Sequence, residues 1–542
     1  MSVREVVPII EITGRTKDPG PRTVPWKWIL LGAIVFAALL LRVHHLSQIS
    51  LWLDETDFFN ENIYGDHPQS LFDFARSTKD ATTNTWGWPA VIWISCRIFG
   101  STAGIARMPS VLVGTGAVFF VFLLVYRSIP APVARNRFTP AAFAAVITTM
   151  AMPQIEFSQR TYPYGATPFT AAALLLAHLE VLRAVEGRWS ERSFFRALAL
   201  YTMVASLALC IHPSMGLLVA ASLMFLIAHL LPHFRQQTSE DRKRVLWFAF
   251  CASLILAGSA LLNAKNPKYG FRPYLVPYYH TLSLRSFAVL LKHAYDVFTY
   301  NLNPFYNPSL YWPEQLNWAI LPLVLLCLWG WGRAASNKFG KQIQHLAFLG
   351  MVMLAVPALL SLRRAFPFGG VRQTLFLSPF FLVFTALGFY SLRRRRVTQL
   401  LGISLAFLYV MFWAVNLPRF YANREPQYRA EDIVNAWEQN GKLTVYARGC
   451  EREVQYALRW YPDVRVESLP MPSEPPYLVV STHWPPLEQN HMFYGYADYL
   501  KKAGYNATLV LERPPTNLDS LKYSTSLYFP PNGLWIYKVT AQ

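Results

Sequence analysis

Apolar runs long enough to cross a bilayer recur along this chain, and every second one is followed by a short basic cluster. A hydrocarbon core about 30 Å thick needs roughly 20 predominantly apolar residues per helix. Taken in order, the runs predict about eleven transmembrane helices, at 26–43, 104–126, 139–157, 162–182, 197–211, 214–232, 245–263, 317–332, 343–362, 371–391 and 398–416. A chain that is 53% hydrophobic and 15% charged, with mean hydropathy +0.23 over 542 residues, is too apolar for one soluble globule. The expected fold class is an α-helical polytopic membrane protein.

The net charge of +19 could suggest nucleic acid, but the basic residues lie between the runs, where they orient helices. No nucleic-acid partner is expected. The clusters at Arg127 to Arg137, Arg183 to Arg196, Arg235 to Arg244, Arg333 to Lys341 and Arg393 to Arg396 all become cytoplasmic if 86–99 does not cross. That segment, with Trp86, Trp88 and Trp93, then reads as an in-plane juxtamembrane helix. Residues 1–25 become a cytoplasmic tail, and 44–103 and 264–316 become long outer loops of a module spanning 26–416. Residues 417–542 show short strands and helices at 426–440, 443–447, 477–480, 494–503, 507–511 and 534–539. They predict a soluble α/β accessory domain on the outer, periplasmic or extracellular, face. Five scattered cysteines offer no metal-ligand spacing or disulfide framework.

Within the first outer loop, Leu51-Trp52-Leu53-Asp54-Glu55-Thr56-Asp57 places three carboxylates just beyond a membrane helix. Acids crowded at a membrane surface repel one another and resist dehydration, so they persist where water, a cation or a reacting proton meets them. A solvated loop is the plain alternative. Arg160, Arg363, Arg364 and Arg372 fall on the same outer side, against the orientation bias. Their planar forks match phosphate oxygens bidentately, which suggests a donor-phosphate site; snorkelling to lipid head groups accounts for such residues equally well. Tyr162, Tyr164 and His212 occupy turns on that side, suited either to a sugar pocket or to interfacial anchoring.

These residues together carry a resemblance. Trp52-Leu53-Asp54-Glu55 after the first helix, Phe99-Gly100 followed by Arg107-Met108-Pro109-Ser110, Ser158-Gln159 before Tyr164, and Arg372 ahead of Pro379 make 26–416 similar to the GT-C glycosyltransferases. The similarity is greatest to the branch of protein O-mannosyltransferases and the lipid A aminoarabinose transferase. The chain departs from that pattern in reading Trp86-Gly87-Trp88-Pro89 where relatives have His-Pro-Pro or Lys-Pro, and in having Arg160 two positions early. The resemblance implies transfer of a sugar from a polyprenyl-phosphate donor to a lipid, glycan or protein acceptor outside a bacterial plasma membrane. It also implies a catalytic role for the loop aspartate.

The chemistry suits the residue types. A hydroxyl nucleophile needs its proton removed as the new bond forms, a task for Asp54 as general base, worth about 10²- to 10⁴-fold. Glu55 can orient the loop or bind acceptor, and Asp57 can approach Asp54 if the loop starts a helix. No cofactor is indicated; a divalent cation between Asp54 and Asp57 is the one metal the spacing leaves room for. A transporter or flippase is the competing class, but transporters place ionisable groups near the midplane, often between internal repeats. A scaffold carrying the C-terminal domain is the third.

Overall fold

A computed structural model describes residues 26–47, 70, 85–129, 137–186, 191–235, 239–264, 284–302, 320–370, 372–392, 396–422, 443–447, 464–468, 477–481, 502, 504–513 and 534–541. Each of the eleven expected spans coincides with helix. The helices are α1 (Trp26–Val43), α2 (Gly87–Phe99), α3 (Ala103–Ser128), α4 (Phe138–Met150), α5 (Met152–Ser158), α6 (Thr167–Glu186), α7 (Glu191–Ile211), α8 (Met215–Arg235), α9 (Ser239–Ala264), α10 (Leu284–Leu302), α11 (Leu321–Ala335), α12 (Lys341–Leu362), α13 (Ser378–Leu392) and α14 (Arg396–Ala422). Among the described residues, eight spans are long and apolar enough to cross a membrane, or nine if the bent pair α4–α5 counts as one. The count of eleven is met only by adding Val245–Ser259 and Leu321–Ala335, which are shorter apolar stretches.

Three departures from the sequence reading shape the functional end. The expected span 139–157 is bent by 60° between Met150 and Met152. Ala151 leaves the helical region at ψ 111°, and Pro153, which has no N–H to donate, starts the next helix at its first turn. The segment 264–316, expected as an outer loop, contains the amphipathic helix α10, whose Lys292, His293 and Asp296 keep it below span hydrophobicity. The last helix runs on to Ala422 rather than ending at 416. Helix α2 has 13 residues, a rise of about 20 Å at 1.5 Å per residue, too short to span.

The core is apolar side chain on apolar side chain between α3, α4, α6, α11, α12 and α13. Backbones come into direct contact where α11 meets α13. A Cβ on Gly330 would lie 1.9 Å from Phe384 O, and one on Gly388 would lie 2.2 Å from Leu326 O. Small residues at such crossings let van der Waals packing hold helices together where lipid offers no hydrophobic drive.

Five C-terminal strands form one sheet, β1 (Leu443–Ala447), β2 (Val464–Ser468), β3 (Tyr477–Ser481), β4 (Tyr505–Arg513) and β5 (Leu534–Ala541), in the order β2-β1-β3-β5-β4. The pairs β1–β2 and β1–β3 are parallel, and β5 is antiparallel to β3 and β4. Strand β2, reading Val-Arg-Val-Glu-Ser, is additional to the strands expected from the sequence. The helices expected at 426–440 and 494–503 lie outside the described residues, apart from Lys502.

Candidate active site

The end of α1 leads into the acidic motif, and it is held by residues from far along the chain. Arg42, wholly buried, donates through Nη1 to Ala38 O at 3.1 Å, through Nε to Ser158 Oγ at 3.2 Å and through Nη2 to Thr148 O at 3.4 Å. A buried guanidinium is costly unless its donors are met, and here backbone carbonyls and a hydroxyl meet them. Gly114 on α3 makes room, since a Cβ there would lie 1.9 Å from Ser158 Oγ. Gln159 Nε2 lies 3.0 Å from both Arg42 O and His44 O and 3.3 Å from Leu41 O. Arg107, also wholly buried, donates to Leu46 O at 2.9 Å, and Tyr421 OH donates to Leu41 O. Asp54, Glu55 and Asp57 lie outside the described residues.

Beside this anchorage is a cluster of rings. Tyr162 and Tyr164 stack with centroids 5.5 Å apart and planes 9° from parallel. The intervening 3₁₀ turn, Pro163–Gly165, needs its glycine: a Cβ on Gly165 would meet Phe157 O at 2.4 Å. The Arg372 guanidinium carbon lies 5.3 Å from the Tyr162 centroid and 5.0 Å from that of Tyr164, within cation–π range. Phe157 and Leu375 pack on Tyr164 from within, and Tyr300 of α10 closes the edge.

His212 meets the same cluster, its ring 4.8 Å from that of Tyr164. Its Nδ1 is 3.2 Å from the Ser214 backbone nitrogen and 2.6 Å from Ser214 Oγ. A backbone N–H can only donate, so Nδ1 accepts and the proton of the neutral imidazole sits on Nε2. Burial first, and the charge of Arg372 second, push the imidazole down to about 3. The ring is therefore a neutral N–H donor over the physiological range. It stands just before the start of α8, the positive end of a 21-residue helix dipole.

The structure thus brings together Tyr162, Tyr164, His212 and Arg372 of the sequence candidates. Arg160 is buried in the turn after α5, its backbone N–H directed to Phe157 O at 3.4 Å. Arg363 and Arg364 are exposed at the end of α12. There Arg364 adopts a left-handed φ of 56°, and the N–H groups of Arg364 and Ala365 close the helix onto Ser361 O and Leu360 O. Such a closure favours glycine, so an arginine there carries backbone strain. Among the described residues no group of three or more His, Cys, Asp or Glu side chains could hold a metal ion.

Arg42 and the residues of α10 were missed from sequence. Arg42 did leave a signal, being a cation at the end of a span expected to face outward, the same departure from charge bias that marked Arg363 and Arg372. Asn301 left none. Its Oδ1 accepts from Ser378 Oγ at 2.5 Å, and Gln154 Nε2 donates to the same serine at 2.8 Å, tying α10 to α5 and α13.

No protein-family model matches the chain, and no curated protein matches it. Among solved structures it is similar to ArnT from Cupriavidus metallidurans in the apo state, with TM-score 0.50 and 11% identity over 95% of this chain and 98% of that one. ArnT bound to undecaprenyl phosphate gives TM-score 0.47 at 11% identity, over 94% and 98%. The apo oligosaccharyltransferase of Archaeoglobus fulgidus gives 0.46 at 12% identity, over 80% of this chain and 64% of that one. A likeness at 11% identity across nearly the whole of both chains is one of fold alone, and at that level the chain has an ArnT-like fold.

Proposed function

We propose that the chain is a membrane glycosyltransferase that takes its sugar from a polyprenyl-phosphate donor, with the donor phosphate at Arg372. The observation that carries this is the guanidinium laid across Tyr162 and Tyr164 beside a neutral, N–H-donating His212. The two rings attract the guanidinium and hold it in place, and its planar fork suits a bidentate contact with phosphate oxygens. His212 Nε2–H and the start of α8 favour the same charge. The shared fold gives the expected setting, and ArnT itself binds undecaprenyl phosphate.

In the reaction the acceptor hydroxyl oxygen forms its bond to the anomeric carbon while Asp54 takes the hydroxyl proton. The bond from that carbon to the phosphate oxygen breaks, and its electron pair leaves with the polyprenyl phosphate. Attack opposite the leaving group inverts the anomeric centre. Arg372 stabilises charge that grows only as the bond breaks, which lowers the barrier rather than merely tightening binding. Glu55 and Asp57 shape the acceptor side, and Arg363 and Arg364 supply positive field at the membrane-facing approach. Arg160, buried in the same turn, adds its charge to the donor-phosphate side.

The site end is assigned to the outer face of a bacterial plasma membrane because Arg127, Arg183 and Arg333 gather at the opposite ends of their helices. On the same reasoning α2 lies in the interface, and 417–542 forms an accessory domain outside. The test is single-turnover transfer from a synthetic polyprenyl-phosphate sugar by purified protein in nanodiscs, with donor binding measured in parallel. Wild-type transfer is expected, and Asp54→Asn should bind donor but retain less than about a hundredth of the rate. Retention of more than a tenth would remove Asp54 as the base.

A further inference from the structure

The carbonyls at a helix C-terminus lack intrahelical partners and usually turn to water or to a glycine-based cap. At the end of α1 they turn instead to side chains from three other parts of the chain. Gln159 takes Leu41, Arg42 and His44, Tyr421 shares Leu41, and Arg107 takes Leu46. Gln159 belongs to the same short turn as Tyr162 and Tyr164, the platform under Arg372. That turn is itself fixed, with Gln159 N–H on Glu156 O at 2.9 Å and Trp88 Nε1–H on Thr161 O at 2.8 Å. One turn therefore carries both the platform and the fastening of the chain that leads to Asp54. Leu46 stands eight residues before Asp54, a tether of at most about 28 Å at 3.5 Å per residue.

We propose that Gln159 is a positioning residue for the acidic segment. It sets where and in which direction the chain leaves α1 on the way to Asp54. Arg107 extends the fastening to Leu46. This rests on the reading of Asp54 as the base. The amide is the needed group, because Nε2 donates and carries no charge. A carboxylate at the same place would face three carbonyl oxygens, which raises its pKa and lets it donate only when protonated.

The experiment compares wild type, Gln159→Leu and Gln159→Glu as full chains in nanodiscs. Hydrogen exchange is followed in peptides covering 41–53, with single-turnover transfer and donor binding alongside. Gln159→Leu should exchange tenfold or more faster in those peptides and lose tenfold or more in kcat, with donor Kd within threefold of wild type. Gln159→Glu should recover toward wild-type turnover, as a ratio at each pH, as the pH is lowered. Unchanged exchange overturns the proposal, as does faster exchange with unchanged kcat. A loss of donor affinity in step with kcat overturns it too, by placing Gln159 in the donor pocket. If Gln159→Leu does not fold, Gln159→Glu at high and low pH makes the same comparison. Normal turnover by Asp54→Asn would remove the base reading, while the exchange measurement still decides whether Gln159 fastens the segment.

Discussion

Arginine is used in two ways at the two ends of this bundle. At one end Arg127 and Arg183 share Glu180, at 3.0 and 2.7 Å, with the Arg127 side chain 56% exposed. Arg183 also reaches Gln342 across to α12. At the other end Arg42 and Arg107 are wholly buried and bond to carbonyls and a hydroxyl, while Arg372 lies on two aromatic faces. Water reaches the first set, chiefly at Arg127 and in part at Arg183 and Glu180, and screens those pairs. Removing a member of the second strands polar groups that have already been dehydrated. The charges at the two ends differ less in residue type than in what surrounds them.

The largest effect expected from breaking this contrast is at Arg372. Arg372→Gln removes a charge-assisted phosphate contact worth about 1.5–3 kcal/mol, so donor affinity should fall roughly tenfold or more. Titration of purified protein with a polyprenyl-phosphate sugar measures it. The same titration on Arg363→Gln and Arg364→Gln grades their share, and a larger loss there than at Arg372 would move the phosphate site to the end of α12.

Packing sharpens the comparison next. Gly114→Ala forces a methyl onto Ser158 and toward Arg42 Nε at 3.2 Å, and overpacking of this kind costs about 1–3 kcal/mol. Gly332, near the other end, has nothing within 4 Å of an added Cβ, so Gly332→Ala should leave the thermal midpoint unchanged or slightly raised. Equal losses in the two variants would erase the difference between the ends.

A third test uses acid. The His212 imidazole is depressed to about 3 from an ordinary 6.5, so the unfolded chain binds the proton more readily than the folded one. Its contribution is present above about pH 6.5 and is lost progressively as pH falls toward 3. Between pH 7 and 4.5 the melting temperature of wild type should fall more steeply than that of His212→Asn. Parallel curves would mean that the buried ring does not titrate as its surroundings dictate. The smallest effect is expected from Glu180→Gln, which weakens the partly exposed pairs at the other end by about 1 kcal/mol and leaves transfer unchanged.

Much of the architecture was legible in the chain because lipid imposes a local rule. A run such as 104–126 must be helical to satisfy its backbone in hydrocarbon, whatever its neighbours do. The bend at Ala151 was less legible, since Pro153 is compatible either with a kink or with a new helix start. Helix α10 was missed because its apolar face is amphipathic rather than continuous, and span length was the signal in use. At the site, Tyr162, Tyr164, His212 and Arg372 were found as types in outer turns. Nothing local said that Arg372, rather than Arg160, would lie over the tyrosines.

The sequence by itself therefore determined the solvent, the helical class, the placing of the basic clusters between spans and the residue types suited to a phosphate. Each of these follows from a local property, hydrophobicity along a run or charge beside it. Only the tertiary structure decided that Gln159 would take the last carbonyls of α1, that Arg42 would end on Ser158, and that Arg372 and His212 would both meet Tyr164. Those contacts join residues far apart in the chain, and they depend on which helix faces pack and on where glycines let backbones approach.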